Sequence, residues 1–217
     1  MRPLGVFGGM FDPIHYGHLR TAHELSEFIG LERVLFLPAG EPPHRAAPLA
    51  DAATRLAMLR AAVEGDERFA VDDRELRRGG PSWTILTLEE LRAERGRQPL
   101  VLILGMDAYG GIDRWHRAEE LPDFAHIVIA RRPGAGLPSG GLGARLLRER
   151  RCDDPARLAD APAGRVFVSS NTQLDLSSSA VRAVIAAGRD PRYLMPEAAR
   201  RIILATGSYA RPGEAEE

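Results

Sequence analysis

Residues 5–19 read GVFGGMFDPIHYGHL and bring two adjacent glycines, an Asp-Pro pair and two histidines into one short stretch. These residue types at this spacing suit the binding of a phosphate group. Gly8 and Gly9 follow directly on an apolar run, where a side chain would block the close approach of an anion. A helix opening near Tyr16 or Gly17 would aim its N-terminal amides at the same place. His15 would then precede that helix and His18 would lie in its first turn, both rings facing the anion. Such a site neutralises a phosphoryl transition state without a covalent step. The spacing is not that of the dinucleotide fingerprint G-x-G-x-x-G. Two bland readings stand beside it: Asp12-Pro13 as a plain turn before a helix, and His15, His18 and Asp12 as zinc ligands.

The elements that must position these residues alternate along the chain. Strands are expected at 4–8, 33–39, 68–73, 99–105, 126–132 and 165–170, and helices at 17–29, 51–64, 83–96, 180–188 and 196–207. Pro196 at a helix start and Gly188 and Gly207 at helix ends are the usual punctuation. Several strands are apolar almost throughout, as in a parallel sheet covered on both faces. The alternation predicts an α/β fold, a Rossmann-like doubly wound parallel sheet with flanking helices. In such sheets ligands bind beyond the carboxyl ends of the strands, which is where Gly8 and Gly9 fall. Residues 134–164 break the rhythm with glycine, proline and charge and are expected as a surface excursion with one helix near 142–151. The expected layout is one domain over 1–207 and a frayed tail over 208–217.

Composition narrows the chemistry. The 217 residues suit a single domain, and 44% hydrophobic content supplies a core. Net charge is −1, so nothing favours a nucleic-acid partner. The lone cysteine, Cys152, cannot form an internal disulfide, which fits a reducing compartment. No leader and no membrane-spanning run is apparent, so a cytoplasmic protein is expected, with no membrane partner. The chain contains no lysine, and all 29 of its Lys+Arg residues are arginine. That excludes a Walker A lysine and a Schiff-base lysine. Phosphate chemistry must run on arginine, histidine, backbone amides and metal.

With these residues in view, GGMFDPIHYGHL resembles the H-x-G-H signature of the nucleotidyltransferases, shared with class I aminoacyl-tRNA synthetases. LSSSAVR at 176–182 resembles the second signature of that family, I-S-S-T-x-I-R. The resemblance implies the nucleotidyltransferase fold, with Gly8, Gly9, Met10, Phe11, His15, His18, Ser177, Ser178 and Arg182 binding ATP. His15, His18 and Arg182 would be catalytic. Intervening segments are similar to nicotinate mononucleotide adenylyltransferases. LPAGEPPHR at 37–45 implies that His44 and Arg45 hold the mononucleotide phosphate, and PSWTILTL at 81–88 puts Thr84 near the nicotinate carboxylate. ILGMDAYGGIDRWHR at 103–117 puts Asp107 on ribose and Trp115 on the pyridine ring, and ARRP at 130–133 puts Arg132 near the site. The resemblance fails mainly over 134–164. Met10 also departs from it, standing where the family most often has Thr or Ser.

The resemblance implies in-line attack by the 5′-phosphate of nicotinate mononucleotide on the α-phosphorus of ATP, with pyrophosphate leaving. The attacking phosphate is already anionic near neutral pH, its second pKa being about 6, so no general base is needed. Mg²⁺ would accompany ATP and bridge phosphate oxygens, with no dedicated protein metal site. Alternatives are the same transfer to nicotinamide mononucleotide, a zinc hydrolase, and a nucleotide sensor without catalysis. Phosphopantetheine adenylyltransferase shares the first signature, but its shorter chain and lysine use fit poorly. A homo-oligomer is compatible with the sequence.

Overall fold

A computed structural model of the protein describes residues 1–41, 47–131, 136–172 and 174–210. In chain order the elements are β1 (Leu4–Gly9), α1 (Tyr16–Ile29), β2 (Arg33–Pro38), α2 (Ala52–Val63), β3 (Phe69–Val71), α3 (Arg74–Arg78), α4 (Thr84–Arg95) and β4 (Leu100–Gly105). They continue with α5 (Met106–Gly110), α6 (Leu121–Phe124), β5 (His126–Ala130), α7 (Gly141–Arg150), β6 (Arg151–Cys152), β7 (Val166–Ser169), α8 (Ser178–Ala186) and α9 (Glu197–Thr206). The sheet has the order β3-β2-β1-β4-β5-β7-β6, and every pairing is parallel. The chain leaves β1 toward β2 and β3 and returns to start β4 on the other side of β1. The switch point therefore lies between β1 and β4, where a doubly wound sheet opens a ligand crevice.

Strand side chains alternate between two apolar layers, because successive residues point to opposite faces. Phe7, Val34, Phe36, Val101, Ile103 and Val128 pack with α1, α2 and α9 on one face. Leu4, Val6, Leu35, Leu37, Leu100, Leu102 and Leu104 pack with α4, α5 and α7 on the other. Local chemistry bounds the helices. Asp51 caps α2 by accepting from the Thr54 amide at 2.6 Å, and α1 ends on Gly30 at φ 75°.

The glycine-rich segment contributes to the core as well as the surface. Leu142, Leu146 and Leu147 recur one helical turn apart along α7 and are buried, and Leu158 is buried in the 3₁₀ turn Pro155–Ala159. β6 then pairs with β7 at the sheet edge, a strand too short for any alternating pattern to announce.

Candidate active site

Two cavities meet at the switch point. The larger, about 610 Å³, lies over the opening loop, α1 and the start of α8. The smaller, about 210 Å³, lies between β1, β4 and the start of α4. Their common wall is built from Gly8, Gly9 and Met10 after β1 and Gly105, Asp107 and Ala108 after β4. A Cβ on Gly8 or Gly105 would meet no protein atom within 4 Å. Those glycines therefore leave backbone open to a ligand bridging the two cavities.

His15 stands in extended backbone as the cap of α1, and its Nδ1 accepts from the Gly17 amide at 3.1 Å. The His18 ring stacks on the His15 ring at 3.8 Å between centroids. A Cβ on Gly17 would sit 2.9 Å from the His15 ring, so glycine at that position lets the imidazole fold over its own helix start. Gly9 is needed for packing: a Cβ there would come 3.0 Å from the Phe11 ring. Phe11 is buried at a φ of 47° and packs its ring against Phe7 and His18. It touches the larger cavity, but its ring belongs to this aromatic cluster.

The loop between β1 and α1 is held from behind by Asp12. Its buried carboxylate accepts from the amides of Leu49 and Ala50 at 2.9 and 3.1 Å and from the Tyr209 hydroxyl at 2.6 Å. Burial, then the bond to Asp12, push the Tyr209 phenol far above its ordinary pKa. The Asp12 carbonyl accepts from Arg182 Nη1 at 2.7 Å, and Arg182 Nη2 donates to Ser179 Oγ at 3.2 Å. These bonds hold the Arg182 guanidinium beside the histidines, where all three line the larger cavity. Ser177 caps α8 by accepting from the Ala180 amide at 3.1 Å, and Ser178 donates to the Pro13 carbonyl at 2.9 Å. Both hydroxyls fasten α8, whose N-terminus borders the same cavity.

The smaller cavity brings Thr84, Asp107 and Trp115 together, although they are scattered over three segments of sequence. Asp107 lines both cavities. His44, Arg45 and Arg132 lie outside the described residues. The zinc reading of His15, His18 and Asp12 is not supported. The Asp12 carboxylate is committed to Leu49, Ala50 and Tyr209, and no three metal-ligating side chains group together among the described residues.

Several residues of the site escaped the sequence reading. Arg55 is almost fully buried and donates from Nη1 to the carbonyls of Met10 and Ala39 at 2.8 and 2.9 Å. Burial lowers its pKa and the Asp12 charge opposes that shift. An arginine on the buried face shared with Met58, Leu59 and Val63 was a legible signal, since a charge among core positions requires partners. Glu75, Ser82 and Arg114 also line the smaller cavity. Nothing in their local sequence distinguishes them from solvated polar residues.

Known proteins resemble the chain over most of its length. The model of the cytidylyltransferase-like family matches residues 6–184. A Marinobacter nauticus protein named "Probable nicotinate-nucleotide adenylyltransferase" is 46% identical over 97% of this chain and 99% of its own length. A Methylococcus capsulatus protein of the same name is 42% identical over 96% of this chain and all of its own length. Among solved structures, a Plasmodium falciparum nicotinic acid mononucleotide adenylyltransferase complexed with NaAD aligns at a TM-score of 0.74, covering 96% of this chain and 98% of its own. At 15% identity that structure speaks to the fold alone.

Proposed function

From the membership of this chain in the cytidylyltransferase-like family, we infer that it is a nicotinate-nucleotide adenylyltransferase. It transfers the adenylyl group of ATP to nicotinate mononucleotide, releasing pyrophosphate and forming nicotinate adenine dinucleotide for NAD biosynthesis. The observation that carries this reading is the pair of cavities joined at one glycine-lined wall. Such an arrangement suits two nucleotides whose phosphates must meet in line.

ATP occupies the larger cavity, with His15, His18 and Arg182 neutralising charge on its phosphates as pyrophosphate departs. Gly8, Gly9, Met10 and the start of α8, with Ser177 and Ser178, supply close-approaching backbone around it. Met10 costs little in this reading, because Arg55 fixes the backbone there by donating to its carbonyl, whatever the side chain. The acceptor ring enters the smaller cavity between Thr84 and Trp115, and Asp107 stands at the junction to meet ribose. His44, Arg45 and Arg132 complete the acceptor phosphate site in this reading. Mg²⁺, when bound with ATP, supplies charge neutralisation on phosphate oxygens. The wall common to both cavities offers it the single carboxylate of Asp107, a donor set that fits an ion held mainly by its nucleotide.

Two features favour nicotinate over nicotinamide as the ring. The N-terminus of α4 borders the smaller cavity and attracts a carboxylate. Arg114 is the one arginine lining that cavity among the described residues. The test is pyrophosphate release from ATP and Mg²⁺ with each mononucleotide in turn. A higher kcat/KM for the nicotinate form is expected. Release with neither acceptor would remove the reading, and a preference for the amide would leave the chemistry but reassign the ring site.

A further inference from the structure

The smaller cavity has two lips that come from distant parts of the chain, and one side chain joins them. One lip is the turn after β2, residues 39–41, and the other is the turn Pro81–Trp83 that leads into α4. Ser82 makes two bonds across this gap. Its amide donates to the Glu41 carbonyl at 2.9 Å. Its Oγ accepts from the Gly40 amide at 2.8 Å, beside Glu75 in the same cavity wall.

Both sides of the gap are themselves held. Glu75 is buried in the cavity wall and accepts from the Thr87 hydroxyl at 2.8 Å. Its helix α3 is strapped to α4 by Arg78 on Glu90, at 2.8 and 2.9 Å, and by Arg74 on Glu94, at 2.9 and 3.0 Å. On the other side, the Ala39 amide donates to the Gly9 carbonyl at 2.9 Å, and Arg55 ties Ala39 to Met10. The packing leaves no slack: a Cβ on Gly40 would lie 3.0 Å from the Glu75 carbonyl oxygen and 3.4 Å from Ser82 Oγ.

We propose that Ser82, bonded to Gly40 and Glu41, is a positioning residue that sets the width of the acceptor cavity by fixing the Trp83–Thr84 wall relative to the glycine wall shared with ATP. The inference rests on the reading of the smaller cavity as the acceptor-ring site. Ser82 need not touch substrate; it acts through Gly40 and the turn that carries Trp83 and Thr84. The effect therefore falls on the acceptor and spares ATP, whose phosphates meet a different set of side chains.

The experiment is steady-state pyrophosphate release by the wild type, Ser82→Ala, Ser82→Thr and Glu75→Gln, varying nicotinate mononucleotide and ATP separately. Alanine cannot accept from Gly40, and should raise the acceptor KM about tenfold with the ATP KM changed less than about twofold. Threonine keeps the hydroxyl that accepts from Gly40 and should return the acceptor KM to within about threefold of wild type. Glu75→Gln keeps the shape and one acceptor oxygen, so a smaller shift in the same direction is expected, and it serves if Ser82→Ala fails to fold. Equal rises in both KM values, or an unchanged acceptor KM in Ser82→Ala and Glu75→Gln, would overturn the proposal. A wild type inactive with both mononucleotides would instead overturn the reading of function beneath it.

Discussion

Gly17 carries a constraint that its neighbours impose. The His15 ring reaches the Gly17 amide by folding across the position a Cβ would fill. Gly17→Ala must displace the imidazole, the helix start or both. A misplacement near 1 Å at a reacting centre costs on the order of 100-fold, so kcat should fall by about that factor while the melting temperature moves little. A normal kcat would mean that His15 is not aimed at the transition state. Arg114 makes a second residue-scale case. An exposed charge of this kind is worth about 1 kcal/mol or less, so Arg114→Gln should reduce the kcat/KM preference for nicotinate over nicotinamide up to about fivefold. Equal losses with both acceptors would assign Arg114 to packing. The histidine site was legible in sequence because its parts sit side by side. Ser82 and Glu75 were not, since each gains its meaning from an element far along the chain.

Elements were legible in proportion to their length and apolar pattern. The six runs read as strands all pair in the sheet, and the long helices fall within a few residues of their expected bounds. The short helices α3, α5 and α6 span less than two turns, too little for a helical period to stand out. β5 begins with a buried histidine whose state the strand pattern could not reveal. Nδ1 of His126 accepts from the Arg165 amide at 3.0 Å, so Nε2 carries the proton and donates to the Ala161 carbonyl at 2.8 Å. Burial lowers the His126 pKa, with the Arg165 and Arg92 charges adding to it. The folded chain therefore resists a proton that the unfolded chain accepts below about pH 6.5. Stability is fully present above that pH and falls as the pH drops toward the folded pKa, by at most about 1.4 kcal/mol per pH unit. Urea midpoints at pH 7.5 and 5.5 should separate more for the wild type than for His126→Gln. Equal separations would show that another group dominates the acid limb.

At the scale of the whole molecule, the site depends on contacts between the two ends of the chain. Asp12, in the loop after the first strand, receives Tyr209 from beyond the last helix and the amides that lead into α2. α2 returns Arg55 to the Met10 carbonyl, and α8 returns Arg182 to the Asp12 carbonyl. One loop thus collects an early helix, a late helix and the C-terminal segment, and the apolar layer shared by α2 and α9 holds them in place. No local pattern encodes such a junction, so it became visible only once the chain was folded. Tyr209→Phe tests it, because it removes one hydroxyl and little volume. A hydrogen bond to a charged group contributes about 1.5–3 kcal/mol. For a chain of this size that corresponds to a fall of about 3–12 °C in melting temperature. If the junction also sets Arg182 for ATP, the ATP KM should rise several-fold, since the Asp12 carbonyl orients that guanidinium. The acceptor KM should stay near its original value, because the Ser82 bonds to Gly40 and Glu41 do not pass through Asp12. A lower melting temperature with both KM values unchanged would make the junction a fastening of the fold alone, and Arg182 would then owe its position to α8.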